Sequence, residues 1–164
     1  MSDITLPLGL PLLIEAVVRI AQCGPREYMP MTRVAPECSA PARYFEPFLQ
    51  QMRVDGLLEG LRGPEGGYRL AKRARHISIG DIYRSSRVYR RRRLGAAAWL
   101  DGGLSDWPTS EIGRQIYPLL DDIDKKMMAQ LDAVSVKDLL DQITSAGDGR
   151  PVGRVARATE GRAL

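Results

Sequence analysis

This sequence predicts a mainly α fold with one small β-hairpin, a winged helix-turn-helix followed by a long dimerisation helix. Three observations carry that expectation. Three short segments of helical character between residues 11 and 55 precede a turn rich in glycine and proline, flanked by strand-like residues. A later segment, Ile112 to Leu131, repeats apolar residues at three- and four-residue steps. Positive charge is concentrated in the middle of the chain, around the turn.

The first helix is predicted over Pro11 to Cys23, where Leu13, Ala16, Val17 and Ile20 share one face. Pro11 suits its first turn and Gly24-Pro25 ends it. Thr32 to Cys38 forms a short second helix, weakened by Pro36. Ser39 to Asp55 forms the third. Its stripe is Tyr44, Phe45, Phe48, Leu49 and Met52, with Gly56 at the C′ position. Arg43, Gln50, Gln51 and Arg53 fall largely on the opposite side. Pro47 lacks an N–H, so this helix is expected to begin only a few residues earlier or to bend there. The tight connection from Glu37 to Pro41 makes a helix-turn-helix.

Leu57 to Leu61 and Tyr68 to Leu70 have strand character, and residues 62–67 form the hairpin tip between them. Ser78 and Asp81 have capping spacing and open a fourth helix, Ile79 to about Arg92. Gly95 to Trp107 reads as a loop. Thr109 or Ser110 opens the long helix to about Ala133, where Ile112, Ile116, Leu119, Ile123, Met127 and Leu131 form a seam suited to pairing with a second copy. Pro118 is expected to kink or split it. Ser135 to Asp138 caps a last short helix. The expected division is a DNA-binding domain at 1–83, linker and dimerisation helices at 84–146, and a flexible basic tail at 147–164.

With 164 residues, 44% of them hydrophobic, the chain is long enough and apolar enough for a real core. No apolar run approaches the roughly 20 residues of a membrane span. The N-terminus lacks the pattern of a signal peptide, so a cytoplasmic location and no membrane partner are expected. The net charge of +4 hides an asymmetry. Residues 62–93 hold eleven Arg or Lys against Glu65 and Asp81, a balance of +9, whereas residues 94–146 come to −5. A basic centre in an otherwise acidic chain is the footprint of a polyanion binder, and double-stranded DNA is the expected partner.

Several strings sharpen this. Asp55-Gly-Leu-Leu58, Leu61-Arg-Gly-Pro-Glu-Gly-Gly-Tyr-Arg-Leu70 and Ile77-Ser-Ile-Gly-Asp-Ile82 resemble the Rrf-two (Rrf2) family of bacterial regulators. Tyr44-Phe-Glu-Pro-Phe-Leu49 is similar to that family's recognition-helix signature, and Val134-Ser-Val-Lys-Asp-Leu-Leu140 to the segment closing its dimerisation helix. The resemblance covers roughly residues 8 to 143. It implies a homodimer, in most members a repressor, whose recognition helices enter successive major grooves of a near-palindromic operator.

In a helix-turn-helix the start of the recognition helix reaches base edges. Ser39, Arg43, Tyr44 and Glu46 are the candidates, with Arg43 suited to guanine and Glu46 to cytosine N4. A core aromatic is the alternative for Tyr44, a solvated charge for Arg43. In the wing, Gly63, Gly66 and Gly67 are expected to bring the backbone close to DNA, Arg62 to enter a narrow minor groove, and Arg69 to flank it. Glu65, at a position where the family often has glycine, brings a carboxylate that phosphate repels. Arg84, Arg87 and Arg90 are candidate phosphate contacts. The alternatives are a charged face or, for Arg90 to Arg93, pairing with the acidic 121–124 stretch of a partner subunit.

Cluster-binding members of the family place three cysteines between the helix after the wing and the dimerisation helix. Here residues 84–110 contain none. The two cysteines, Cys23 and Cys38, lie fifteen residues apart in predicted helices and suit free thiols, with a redox role as the alternative to buried small hydrophobes. His76 is the single histidine. Neither an iron–sulfur cluster nor a zinc site has its ligands, so no cofactor or metal is expected. No nucleophile stands with a plausible base and no phosphate loop is present, so no enzyme is expected. The leading expectation is a dimeric, sequence-specific transcription repressor. A winged-helix protein–protein adaptor is the alternative, favoured by Glu65 and Pro47. A thiol- or ligand-responsive regulator is the third, with Trp99, Trp107 and the 95–103 loop lining a pocket for an unknown effector.

Overall fold

The computed structural model of the chain describes residues 9–38, 41–64, 66–94 and 110–146. Helix α1 (Leu10–Gln22) starts beside Gly9, with Pro11 in its first turn, and stops where Cys23 turns extended. Helices α2 (Met31–Glu37) and α3 (Ala42–Val54) follow as the helix-turn-helix. The hairpin pairs β1 (Leu58–Leu61) antiparallel with β2 (Gly67–Leu70), in the register Leu58 to Leu70, Glu59 to Arg69, Gly60 to Tyr68 and Leu61 to Gly67. A single 3-10 turn at Ala74–His76 leads to α4 (Ile79–Leu94), and then α5 (Glu111–Asp132) and α6 (Val136–Ala146) complete the described chain. The result is the predicted winged helix-turn-helix, mostly helical with one small hairpin.

The core sits between α1, α3 and the start of α4. Leu10, Leu13, Ala16, Val17 and Ile20 of α1 meet Phe45, Leu49 and Met52 of α3, and Ile77 and Ile82 close the cluster. Each of these is buried because its periodic position leaves no other face to turn inward. Gln51, placed on the polar side from the sequence, is buried instead, and its amide donates to Asp55 Oδ1 at 2.8 Å. That bond offsets the cost of drawing a polar amide out of water.

Pro47 lies inside α3 with five helical residues before it. Lacking an N–H, Pro47 cannot donate to the Arg43 carbonyl four residues back, so α3 continues through its second turn with one backbone bond fewer. Pro118 neither splits nor ends α5, which runs as one element across it. Both long-helix caps follow from sequence: the Ser110 hydroxyl accepts from the Gly113 amide at 3.0 Å, and at α4 the Ser78 amide donates to Asp81 Oδ2 at 2.9 Å while the Asp81 amide donates to Ser78 Oγ at 3.0 Å. Ser135 and Asp138 repeat that reciprocal pair at α6.

Two features were not legible beforehand. Met29, in the α1–α2 connection, exchanges both backbone hydrogen bonds with Tyr68, at 2.8 and 2.9 Å, so the hairpin gains one residue of a third strand. The two capped starts also lie side by side. Ile79 N donates to Val134 O and Val136 N to Ile77 O, both at 2.9 Å. Val136 is thereby fully buried, and α6, grouped from sequence with the dimerisation helices, packs against α1.

Candidate nucleic-acid interface

Helix α3 and the wing enclose a groove of about 410 Å³. Glu46, Gln50 and Arg53 line one wall and Arg62, Gly66 and Tyr68 line the other. The walls are tied together: Gln50 Nε2 donates to the Tyr68 hydroxyl at 3.0 Å, and Arg53 Nε donates to Gln50 Oε1 at 3.1 Å. Burial, reinforced by the nearby Glu46 carboxylate, raises the Tyr68 phenol above its ordinary range, so it stays protonated at neutral pH. A braced groove beside an exposed helix start can hold a phosphate backbone while the helix meets base edges.

Arg43 and Glu46 are exposed in the first two turns of α3. Tyr44 is half-buried, its ring packing against the core 5.3 Å from Phe45 and 5.7 Å from Phe48. Ser39 and Glu65 lie outside the described residues. Gln50 and Arg53 were not among the sequence candidates. The signal was present, because Arg43, Glu46, Gln50 and Arg53 recur at three- and four-residue steps on one stripe of α3.

In the wing, Arg62 is exposed at the start of the tip and makes no ion pair with a described residue. Gly63 adopts φ +114°, a turn conformation that L side chains rarely take. Gly67 has a structural requirement of its own. A Cβ there would run into the backbone of Met29 and Pro30, so this glycine permits the close approach of the α1–α2 connection. Gly66 likewise faces the Leu61 and Gly63 carbonyls.

Two of the candidate arginines are paired within the chain. Arg69 is committed across the hairpin to Glu59, its Nε 2.8 Å and its Nη2 2.6 Å from Oε2, and it stacks over the Tyr28 ring at 4.7 Å. Arg84 is committed to Asp132 and Asp81, with three contacts of 2.7 to 3.0 Å. A guanidinium paired in this way would have to share or give up a carboxylate contact to meet phosphate. Arg87 lies 5.7 Å from the Tyr83 ring, and Arg90 belongs to α4, its side chain lying outside the described residues.

The seam of α5 divides. Ile112, Ile116, Leu119 and Ile123 are exposed, whereas Met127 and Leu131 pack against the chain's own core. The last two are therefore held largely by this chain. Cys38 is buried, and Cys23 is half-buried with Sγ 3.9 Å from Met29 Sδ. Burial, then the Glu27 charge, pushes the Cys23 thiol upward, which disfavours the reactive thiolate. His76 is exposed beside Arg75. The Trp99–Trp107 segment and the tail at 147–164 lie outside the described residues.

Residues 10–142 match the family model Rrf2, described as an iron-dependent transcriptional regulator. Among solved structures, the chain is similar to IscR of T. potens, with a TM-score of 0.64 at 20% identity, covering 90% of this chain and 94% of that one. It is similar to CymR (YrzC), the global cysteine regulator of B. subtilis, with a TM-score of 0.58 at 21% identity, covering 88% and 99%. The oxidized form of Staphylococcus aureus CymR gives 0.57 at 22%, covering 84% and 96%. At these identities the likeness is one of fold. No curated protein sequence matches the chain.

The iron in the family description meets a donor set that does not fit it. An iron–sulfur cluster takes about four ligands, mostly thiolates close together. The whole chain has two cysteines, one at the end of α1 and one buried at the end of α2. Among the described residues no three His, Cys, Asp or Glu side chains come together.

Proposed function

Because the chain belongs to the Rrf2 family of transcriptional regulators, we propose that it binds a near-palindromic operator as a homodimer and represses transcription by occupying it. Members of this family are regulators rather than enzymes. No described helix is long and apolar enough to cross a membrane.

The groove between α3 and the wing is the observation that carries the reading. The exposed start of α3, with Arg43 and Glu46, suits the major groove. Arg62 suits the adjoining minor groove, and the local balance of +9 over residues 62–93 supplies the attraction to phosphate. The exposed Ile112, Ile116, Leu119 and Ile123 of α5 form an apolar stripe that a second copy would cover isologously, setting two reading heads on one operator. Repression then requires only that the occupied site overlap a promoter.

Selection of bound fragments from genomic DNA, followed by titration of the recovered site at several salt concentrations, tests this. The expected result is one enriched inverted repeat, bound more weakly as salt rises. Absence of an enriched sequence, or affinity indifferent to salt, overturns it.

A further inference from the structure

A second cavity lies on the other side of the hairpin. It encloses about 510 Å³ between the end of α1, the base of β2 with the segment after it, and the first turn of α6. It shares no lining residue with the reading groove. The two divide along β2: Gly67 and Tyr68 line the groove, and Arg69 and Leu70 line this cavity.

The chemistry of the lining is asymmetric. Ala21, Pro25, Leu70 and Ala74 form an apolar floor, with the buried Ile20 behind it. Arg69, Lys72, Arg73, Arg75 and Lys137 surround it, and neither Asp nor Glu lines it. Arg69 is held by Glu59 and Lys137 by Asp141. Lys72 and Arg73 are exposed and make no ion pair with a described residue. The volume lies within the range of about 300–1,000 Å³ typical of small-molecule sites. An inorganic anion would leave the apolar floor against water, and a neutral ligand would leave the cations uncompensated.

We propose that this cavity binds a small carboxylate with an apolar body, its carboxylate at Lys72 and Arg73 and its body against Leu70, Ala21 and Pro25. Such a ligand removes apolar surface from water at the floor and gains charge-assisted hydrogen bonds at the rim. The proposal does not rest on the DNA-binding reading, because the cavity and its cations belong to the chain without DNA.

Decanoate is the probe. Calorimetric titration of the full chain without DNA should show saturable binding, at least about tenfold tighter than decanamide, which has the same body and no charge. The K72E/R73E variant changes exposed residues only and should keep the wild-type melting temperature while losing about tenfold or more in decanoate affinity. Cys23 lines the cavity and gives a second readout. At alkaline pH, decanoate should slow its alkylation by a neutral maleimide, and should fail to do so in the variant. Equal affinity for decanoate and decanamide, or unchanged binding in the variant, overturns the proposal. So does a variant that loses DNA affinity while keeping decanoate, because Lys72 and Arg73 would then belong to the phosphate footprint.

Discussion

The Arg84 guanidinium grips both carboxylate oxygens of Asp132, with N–O distances of 2.7 and 3.0 Å, and so ties the first turns of α4 to the last turn of α5. Asp81 joins at 2.8 Å, and the Ser78 hydroxyl contacts Asp132 at 3.2 Å. Gly80 leaves room for this arrangement, because a Cβ there would overlap the Asp132 carboxylate. The hydrogen bonds from Arg84 hold Asp132 below the usual carboxylate range. Burial would raise Asp81, but the Ser78 amide and the Arg84 guanidinium outweigh it and lower it too. Pairing holds the Arg84 guanidinium above its ordinary value.

These shifts fix a sign in pH. A carboxylate with a depressed folded-state pKa contributes stability above its unfolded value, about 4, and loses it as pH falls through the folded value. Melting temperature should therefore drop as pH falls below about 4, and the drop should be shallower in Arg84→Ala. Both partners are more than two-fifths exposed, so the pair contributes only about 1 kcal/mol at neutral pH. Gly80→Ala should gain up to about 1 kcal/mol of helix propensity only when Asp132 is also alanine. Thermal melts of the double-mutant cycle check the coupling, and simple additivity would refute the contact between Gly80 and Asp132.

Arg62→Ala should weaken operator binding by about 1–3 kcal/mol and make its salt dependence shallower. Arg69→Ala should leave affinity nearer to wild type, because Arg69 is engaged with Glu59 and Tyr28. Fluorescence anisotropy at several salt concentrations separates the two.

The divided seam predicts two different failures. Leu119→Glu should yield a folded monomer in sedimentation, because Leu119 is exposed in the single chain. Leu131→Ala should instead lower the folding stability by about 1–2 kcal/mol, because Leu131 packs on its own domain. Dissociation without unfolding in Leu131→Ala would reverse the assignment.

Gly67→Ala should cost about 2 kcal/mol or more, because the new methyl meets the Met29 backbone, which no side-chain rotation can clear. A melting temperature within a degree of wild type would disprove the close approach.

Cys23 should alkylate slowly at pH 7 and faster with rising pH, because burial raises its thiol. Cys23→Ala is expected to keep wild-type operator affinity. Oxidant-sensitive DNA binding that this variant abolishes would restore the redox role.

Much of the fold was legible because it rests on local rules. The apolar stripe of α3, the Ser78–Asp81 cap and the Ser110 cap each depend on residues within one or two turns of one another. The basic stretch and the glycine-rich tip pointed to the hairpin, and the structure sets that hairpin opposite α3 across one groove. Gln50 and Arg53 were missed because a helix stripe shows which residues share a face, not that the wing lies opposite it.

Helix order, the caps, the hairpin and the concentration of positive charge all follow from short-range periodicity, turn chemistry and composition. Which cations are paired is a matter of packing. Arg62, Arg69 and Arg84 look alike along the chain, yet Arg69 meets Glu59 across ten residues and Arg84 meets Asp132 across forty-eight. A guanidinium's availability to DNA depends on the carboxylate that folding brings to it, and that meeting is set by packing rather than by sequence neighbours.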